Sequence, residues 1–192
     1  VIRARKQFGQ HFLEPAWVEK VIKAIAPRAD ETFIEIGPGA GALTRPLAAR
    51  ARAVTAFEID RDLAAQLQAT APPNVRVVEG DFLTRDLSDF RLQPSGFMRV
   101  AGNLPYNVAS PILFKLVALH AAGLPLADAT VMLQREVADR LVAGPGSREY
   151  GVLSILIGHS ASVETILKLP AGAFRPPPKV LSALVRLQFH AP

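Results

Sequence analysis

Apolar residues fall along the chain in two signatures. Short, nearly unbroken apolar runs that close on glycine or an acid occur at 32–36 (TFIEI), 53–60 (AVTAFEID), 75–81 (VRVVEGD) and 96–103 (GFMRVAGN). Between them, apolar residues recur every three to four positions. Trp17, Val18, Val21, Ile22 and Ile25 do so behind Pro15, which suits a helix's first turn, and further helices are predicted over 41–50, 61–69 and 108–119. Unbroken runs are the mark of strands covered on both faces, and their alternation with helices is that of βαβ units. The pattern predicts an α/β fold with a mostly parallel sheet flanked by helices.

Beyond residue 120 the pattern changes. Residues 129–133 (ATVML) predict a fifth strand, 135–142 (REVADRLV) a short helix, and a further helix begins near Tyr150. Residues 162–169 (SVETILKL) and 182–189 (SALVRLQF) are β-branched or alternate with period two, so they read as two strands that pair at the sheet edge, giving seven in all. The prolines at 176–178 bar both helix and central strand and require an extended connection. The first fourteen residues precede the first well-formed helix, so 1–14 reads as a separate N-terminal segment and 15–192 as one domain.

Composition narrows the class. With 49% hydrophobic residues in 192, the chain can fill a sizeable core. No apolar run approaches the roughly 18–20 residues of a membrane span, and no signal-like stretch follows the basic start, so a soluble, cytoplasmic protein is expected. The absence of cysteine excludes disulfides, cysteine nucleophiles and thiolate metal sites. The net charge of +5 is unevenly placed: residues 1–30 and 101–192 each carry +3, whereas 31–100 carries −1. Basic ends around a nearly neutral centre suggest a polyanionic partner for a ligand-binding core.

Candidate chemistry begins at 35–41 (EIGPGAG), where Gly37, Gly39 and Gly41 follow a strand and precede a helix. Such glycines let the backbone turn tightly and approach a ligand. Glu58 lies 21 positions after Gly37 at the end of the second strand, where a carboxylate can accept from ribose hydroxyls. The spacing departs from G-x-G-x-x-G, and Pro38 removes a backbone donor, which disfavours a phosphate cradle. Asp81, just past the third strand, can accept an adenine amine, with Phe82 or Ile59 covering a ring face. With Glu35 these acids form a rim that would repel phosphate and tolerate a cation such as a sulfonium.

The fourth strand ends in 102–107 (GNLPYN), on the carboxyl edge where open α/β sheets place their ligands. Asn103 can accept a proton of an amine, a carbonyl of the Leu104–Pro105 turn can point into the site, and Tyr106 offers a ring face to a flat base. Adenine's exocyclic nitrogen shares its lone pair with the ring. Acceptors on its two hydrogens would shift it toward a tetrahedral nitrogen aimed at an electrophilic methyl group, so orientation is the main contribution required.

These stretches, with 6–13 (KQFGQHFL), 57–67 (FEIDRDLAAQL), 132–154 (MLQREVADRLVAGPGSREYGVLS) and 174–187 (FRPPPKVLSALVRL), resemble the small-subunit ribosomal RNA adenine N6,N6-dimethyltransferase family over nearly the whole chain. The resemblance implies a Rossmann-like class I S-adenosylmethionine-dependent methyltransferase with a mostly parallel seven-stranded sheet. It implies that the chain dimethylates two adjacent adenines near the 3′ end of that RNA, within an immature 30S particle, as a monomer. It places Gln10, His11 and Leu13 at the closure of the cofactor pocket, Gly37, Gly39 and Gly41 against the methionine part, Glu58 on the ribose, Ile59 and Phe82 around the adenine, and Asp81 on its amine. Asn103, Leu104, Pro105 and Tyr106 would form the target-amine site, with Asn103 also touching the cofactor and Phe174 sandwiching the flipped base against Tyr106. Reaching such a base by unstacking costs a few kcal/mol, which two aromatic faces partly offset.

Two departures from the family pattern stand out. Val152 occupies a position where many relatives have arginine, and family members continue past the last strand into a small helical domain that contributes to ribosomal docking. Arg3, Arg5, Lys6, Arg135, Arg140, Arg148, Arg175 and Lys179 are candidates for phosphate contact. His120, His159 and His190 share no metal-binding spacing and read as ordinary surface or helix residues, so no metal is expected. The alternatives are a macrolide-resistance-type methyltransferase acting on large-subunit ribosomal RNA, a noncatalytic RNA-binding assembly or transcription factor, and, more distantly, an NAD-dependent oxidoreductase.

Overall fold

The structure is a computed structural model that describes residues 11–87 and 96–190. A two-residue strand β1 (Phe12–Leu13) leads into α1 (Pro15–Ile25). Then follow β2 (Thr32–Ile36), α2 (Thr44–Ala48), β3 (Ala53–Glu58), α3 (Arg61–Thr70), β4 (Val75–Glu79), β5 (Met98–Asn103) and α4 (Ala109–Ala121). The remainder is β6 (Leu126–Gln134), α5 (Arg135–Leu141), α6 (Val152–Ser160), β7 (Ala161–Leu169), β8 (Phe174–Arg175) and β9 (Ser182–Phe189). Seven strands form one sheet in the order β4-β3-β2-β5-β6-β9-β7. The pairs among β4, β3, β2, β5 and β6 are parallel, and β9 runs antiparallel to both β6 and β7.

Successive residues of one strand serve opposite faces of this sheet. Ile34, Met98, Val100 and Val131 pack with Leu113 and Leu116 of α4 and Ile157 of α6. Their neighbours Phe33, Ala101 and Met132 pack with Val21, Ile22 and Ile25 of α1 and Leu47 of α2. Both faces being covered explains the unbroken apolar runs, each large buried side chain contributing roughly 1.5–3 kcal/mol. The helix predicted over 41–50 is shorter, because the glycine turn extends to residue 43 and leaves only Thr44–Ala48 helical.

At the amino edge of the sheet, Arg99 lies on β5, 9% exposed. Its Nε and Nη2 donate to the two Asp128 carboxylate oxygens at 2.9 and 2.8 Å, and Nη1 donates to Glu31 at 2.8 Å. It also donates to the carbonyls of Ile25 and Ala26 at the end of α1, where Arg186 reaches the Ala24 carbonyl. Burial alone would lower the guanidinium pKa, but the Asp128 and Glu31 carboxylates raise it above its ordinary value. The network closes the carboxyl end of α1 against the sheet, a favoured place for cations.

At the opposite edge a second, two-stranded sheet pairs β1 with β8, Phe12 opposite Arg175 and Leu13 opposite Phe174. Glu14 N donates to the Ala173 carbonyl at 2.8 Å, and the Glu14 carboxylate pairs with Arg175 at 2.7 Å. These contacts tie residues 12–14 to the connection between β7 and β9, over the carboxyl ends of the parallel strands.

Candidate active site

The strand order reverses between β2 and β5, and a cavity opens at the carboxyl ends of those strands, as expected of an open α/β sheet. Its floor is the glycine turn. Gly37 and Gly39 have φ of 69° and 56°, the left-handed region that glycine enters without strain. A β-carbon on Gly39 would come within 3.1 Å of the Phe12 ring, so the turn, β1 and the cavity are packed against one another.

Gly39 N donates to Glu58 Oε2 at 2.8 Å, and Asp60 N donates to Oε1 at 2.9 Å. Glu58, 4% exposed, therefore has one backbone donor on each oxygen and keeps lone pairs for a ligand's hydroxyls. Burial raises its pKa, and those two N–H groups act against the rise. Asp60 caps α3 by accepting from Asp62 N and Leu63 N. Asp81 accepts from Leu83 N at 2.9 Å through Oδ1, which fixes its turn and leaves Oδ2 for an amine. Phe82, 4% exposed, packs edge-on against Phe57 at 5.4 Å between ring centroids, and both rings line the cavity.

Glu35 is the more deeply buried of the wall's two buried acids. It is 1% exposed, and its Oε2 has no hydrogen-bond partner. Desolvation raises its pKa to about 8, with Glu58 adding to the rise. The adjacent Thr44 hydroxyl lowers it somewhat, although it is not aligned for a hydrogen bond.

Residues 103–106 form the facing wall. Asn103 Nδ2 donates to the His11 carbonyl at 2.6 Å, which fixes the amide and leaves its oxygen as the acceptor. Leu104 N donates to the Met132 carbonyl at 3.1 Å, tying the turn to β6. Val108 N donates to the Pro105 carbonyl at 3.1 Å, which closes the turn. The Tyr106 ring stacks on His11 with centroids 5.5 Å apart, and its hydroxyl lies 2.5 Å from Ser182 Oγ. Burial raises the phenol pKa, and Ser182 partly counters it. His11 Nδ1 is 2.8 Å from the Pro176 carbonyl and must carry the proton there.

The cavity thus gathers His11, Leu13, Gly37, Gly39, Glu58, Ile59, Asp81, Phe82, Asn103, Leu104, Pro105 and Tyr106. Two expected members lie elsewhere. Gly41 is turned away, since a β-carbon there would meet Arg45 and Leu67 at 2.7 Å; it serves packing between α2 and α3. Phe174 is 2% exposed in the core with Leu13 and Leu184, and the ring found beside Tyr106 is that of His11. Gln10, Arg3, Arg5 and Lys6 lie outside the described residues. Among the phosphate candidates, Arg135, Arg140, Arg148, Arg175 and Lys179 are all exposed, and Arg135, Arg140 and Arg175 pair with Asp139, Glu136 and Glu14.

Sequence reasoning missed several apolar lining residues, among them Phe12, Ile36, Leu43, Phe57, Val108 and Ile112. Their signal was only that of ordinary core residues. His120, expected to be an ordinary surface or helix residue, lies on α4 and is 7% exposed, with Nε2 2.9 Å from the His190 carbonyl and its ring against Phe189.

Among the described residues, no helix is long and apolar enough to cross a membrane. A family model described as ribosomal RNA adenine dimethylase matches residues 1–192. The chain is 49% identical over 187 residues to the ribosomal RNA small subunit methyltransferase A of Bordetella avium, covering 96% of this chain and 69% of that protein. Its fold superposes on a dimethyladenosine transferase from Plasmodium falciparum with a TM-score of 0.81 at 29% identity, covering 94% of this chain and 64% of that one. The 23S rRNA methyltransferase ErmE gives a TM-score of 0.78 at 32% identity, covering 94% and 70%.

Proposed function

Because the chain belongs to the ribosomal RNA adenine dimethylase family, we propose that it dimethylates N6 of two adjacent adenines near the 3′ end of small-subunit ribosomal RNA, with S-adenosylmethionine as methyl donor. The observation that carries this reading is that the Asn103–Tyr106 corner and Glu58 face one cavity. A nucleoside-recognising acid and an amine-orienting turn are then within one ligand's reach.

The residues present fit S-adenosylmethionine. Gly37 and Gly39 carry no β-carbon at the turn, Glu58 keeps acceptors for a ribose, Asp81 keeps one for an amine, and among the described residues the wall carries no lysine or arginine to draw in a phosphate. That cofactor supplies an electrophilic methyl group on a sulfonium. The Asn103 side-chain oxygen and the Leu104 carbonyl accept the hydrogens of the target amine, drawing its lone pair out of conjugation. Tyr106 holds the base by its ring. The proton leaves to solvent. Preorganised acceptors of this kind account for large rate effects without a strong base.

Phosphate contacts would come from the basic residues near this edge, Arg148 and Lys179 being exposed. The curated relative at 49% identity is named for the small subunit, whereas the large-subunit enzyme ErmE stands at 32%, which favours small-subunit RNA. The intact catalytic corner favours an enzyme over a noncatalytic factor. We read the substrate as an immature 30S particle and the chain as a monomer in the cytoplasm.

The test combines binding with product analysis. Calorimetry should show S-adenosylmethionine and S-adenosylhomocysteine binding and NAD failing to bind. Undermethylated small subunits incubated with labelled cofactor should yield N6,N6-dimethyladenosine after digestion. Label confined to large-subunit RNA, or tighter binding of NAD, would overturn the reading.

A further inference from the structure

The cavity wall holds two buried carboxyls of unequal circumstance. Glu58 has a backbone N–H on each oxygen, whereas Glu35, on the neighbouring strand β2, has an Oε2 with no partner. Among the described residues, the other titratable groups lining the cavity are His11 from β1's flank, Asp81 after β4 and Tyr106 after β5, with no lysine or arginine. Asp60 lies beside Glu58 with its carboxylate turned to the α3 N-terminus, and Thr44 stands by Glu35. Arg45 of α2 directs its guanidinium to the Ala40 and Gly41 carbonyls and the Thr70 hydroxyl.

Two negative charges in such a wall repel each other with little solvent between them, and the group lacking donors is the one that neutralises. A ligand's positive charge reverses that balance, while a neutral ligand does not. We propose that Glu35 selects ligands by net charge, keeping its proton with a neutral ligand and releasing it when a net-cationic one enters. This rests on the cofactor reading above. S-adenosylmethionine carries one net positive charge through its sulfonium and S-adenosylhomocysteine carries none, so Glu35 would favour methyl donor over spent product. Its elevated pKa, about 8, puts the exchange in the neutral range.

Proton release is measured by calorimetry at pH 7 in two buffers of different ionisation enthalpy. S-adenosylmethionine should release close to one proton per site and S-adenosylhomocysteine distinctly fewer. Sinefungin, with an ammonium where the sulfonium stands, should follow S-adenosylmethionine. The α-amino group common to all three largely cancels in the comparison. Affinity for the cationic ligands should climb by up to about tenfold per pH unit between pH 6 and 8 and level off above, where Glu35 is already ionised. Glu35→Gln should abolish the extra proton release and reduce the preference for S-adenosylmethionine over S-adenosylhomocysteine by about fivefold or more. Equal proton release by all three ligands, or release that persists in Glu35→Gln, would overturn the proposal. Failure of the wild-type chain to bind any of them would instead overturn the cofactor reading. Should the variant not fold, the wild-type buffer series decides alone.

Discussion

A β-carbon at position 102 would lie 2.4 Å from the Ile36 carbonyl oxygen, closer than such atoms come, so only glycine lets β5 sit in register against β2 there. That contact sets the height of the next residue, Asn103, over the end of β2, where Gly37 begins the glycine turn. The amide is then locked by its bond to the His11 carbonyl. Asn103→Ala should lower the rate of methyl transfer at saturating cofactor by about a hundredfold, the order seen when one preorganised polar partner is removed from a reacting group. Affinity for S-adenosylhomocysteine should fall far less, because the Gly39–Glu58 contact and the Asp81 turn remain. Single-turnover rates beside binding isotherms separate the two effects, and equal losses in both would reassign Asn103 to cofactor binding alone.

At the scale of elements, one polar side chain bridges the loop after β4 and helix α4 beside their apolar packing. Lys115 Nζ donates to the carbonyls of Phe82, Leu83 and Arg85 at 2.6, 2.9 and 2.6 Å, and lies 5.2 Å from the Phe82 ring centre. Burial lowers its pKa, and Asp81 and Asp86 oppose that shift. The same helix follows the turn at 103–106, so Lys115 ties the Asp81–Phe82 side of the cavity, proposed to hold the adenine, to the Asn103–Tyr106 side, proposed to hold the target amine. Lys115→Met should raise KM for S-adenosylmethionine by about tenfold with kcat little changed, and Lys115→Arg should recover part of the loss; a fall in kcat alone would contradict this role. None of it was legible in the sequence, since a lysine among apolar helix residues reads as a solvated position. The parallel strands were legible because burial on both faces writes an unbroken apolar run, and so were Glu58, Asp81 and Asn103, each at a strand's carboxyl end. The strands at 12–13 and 174–175 are too short to carry a period, and they decide the fate of two rings. Their pairing buries Phe174 and brings His11 to Tyr106. Gly41 shows the same limit, because the sequence gives three glycines equal standing and only packing against Arg45 and Leu67 tells the third apart.

Across the whole molecule the two edges of the sheet treat charge in opposite ways. At the amino edge Arg99 is matched by Asp128, Glu31 and two helix-terminal carbonyls, so burial costs are offset where they arise. At the carboxyl edge Glu35 and Glu58 are buried in a wall that, among the described residues, is lined by no lysine or arginine, a state suited to holding a positive ligand. Stability and function therefore pull apart along the strands, and pH exposes the tension. Glu35 has a folded pKa of about 8 against an ordinary 4.5, so the folded chain binds the proton more tightly than the unfolded one does. Its contribution to stability is complete below pH 4.5 and is lost as pH rises through 8, and the raised pKa of Glu58 acts in the same direction. Urea unfolding of the cofactor-free protein at pH 5.5, 6.5, 7.5 and 8.5 should accordingly show a decline of the order of a few kcal/mol. Glu35→Gln should remove most of that slope and be the more stable protein at pH 8.5, leaving the smaller share due to Glu58. An unchanged slope in the variant would place the titrating group elsewhere. Saturating S-adenosylmethionine should flatten the wild-type profile as well, because the ligand's positive charge compensates the same carboxylates that the empty wall leaves unbalanced.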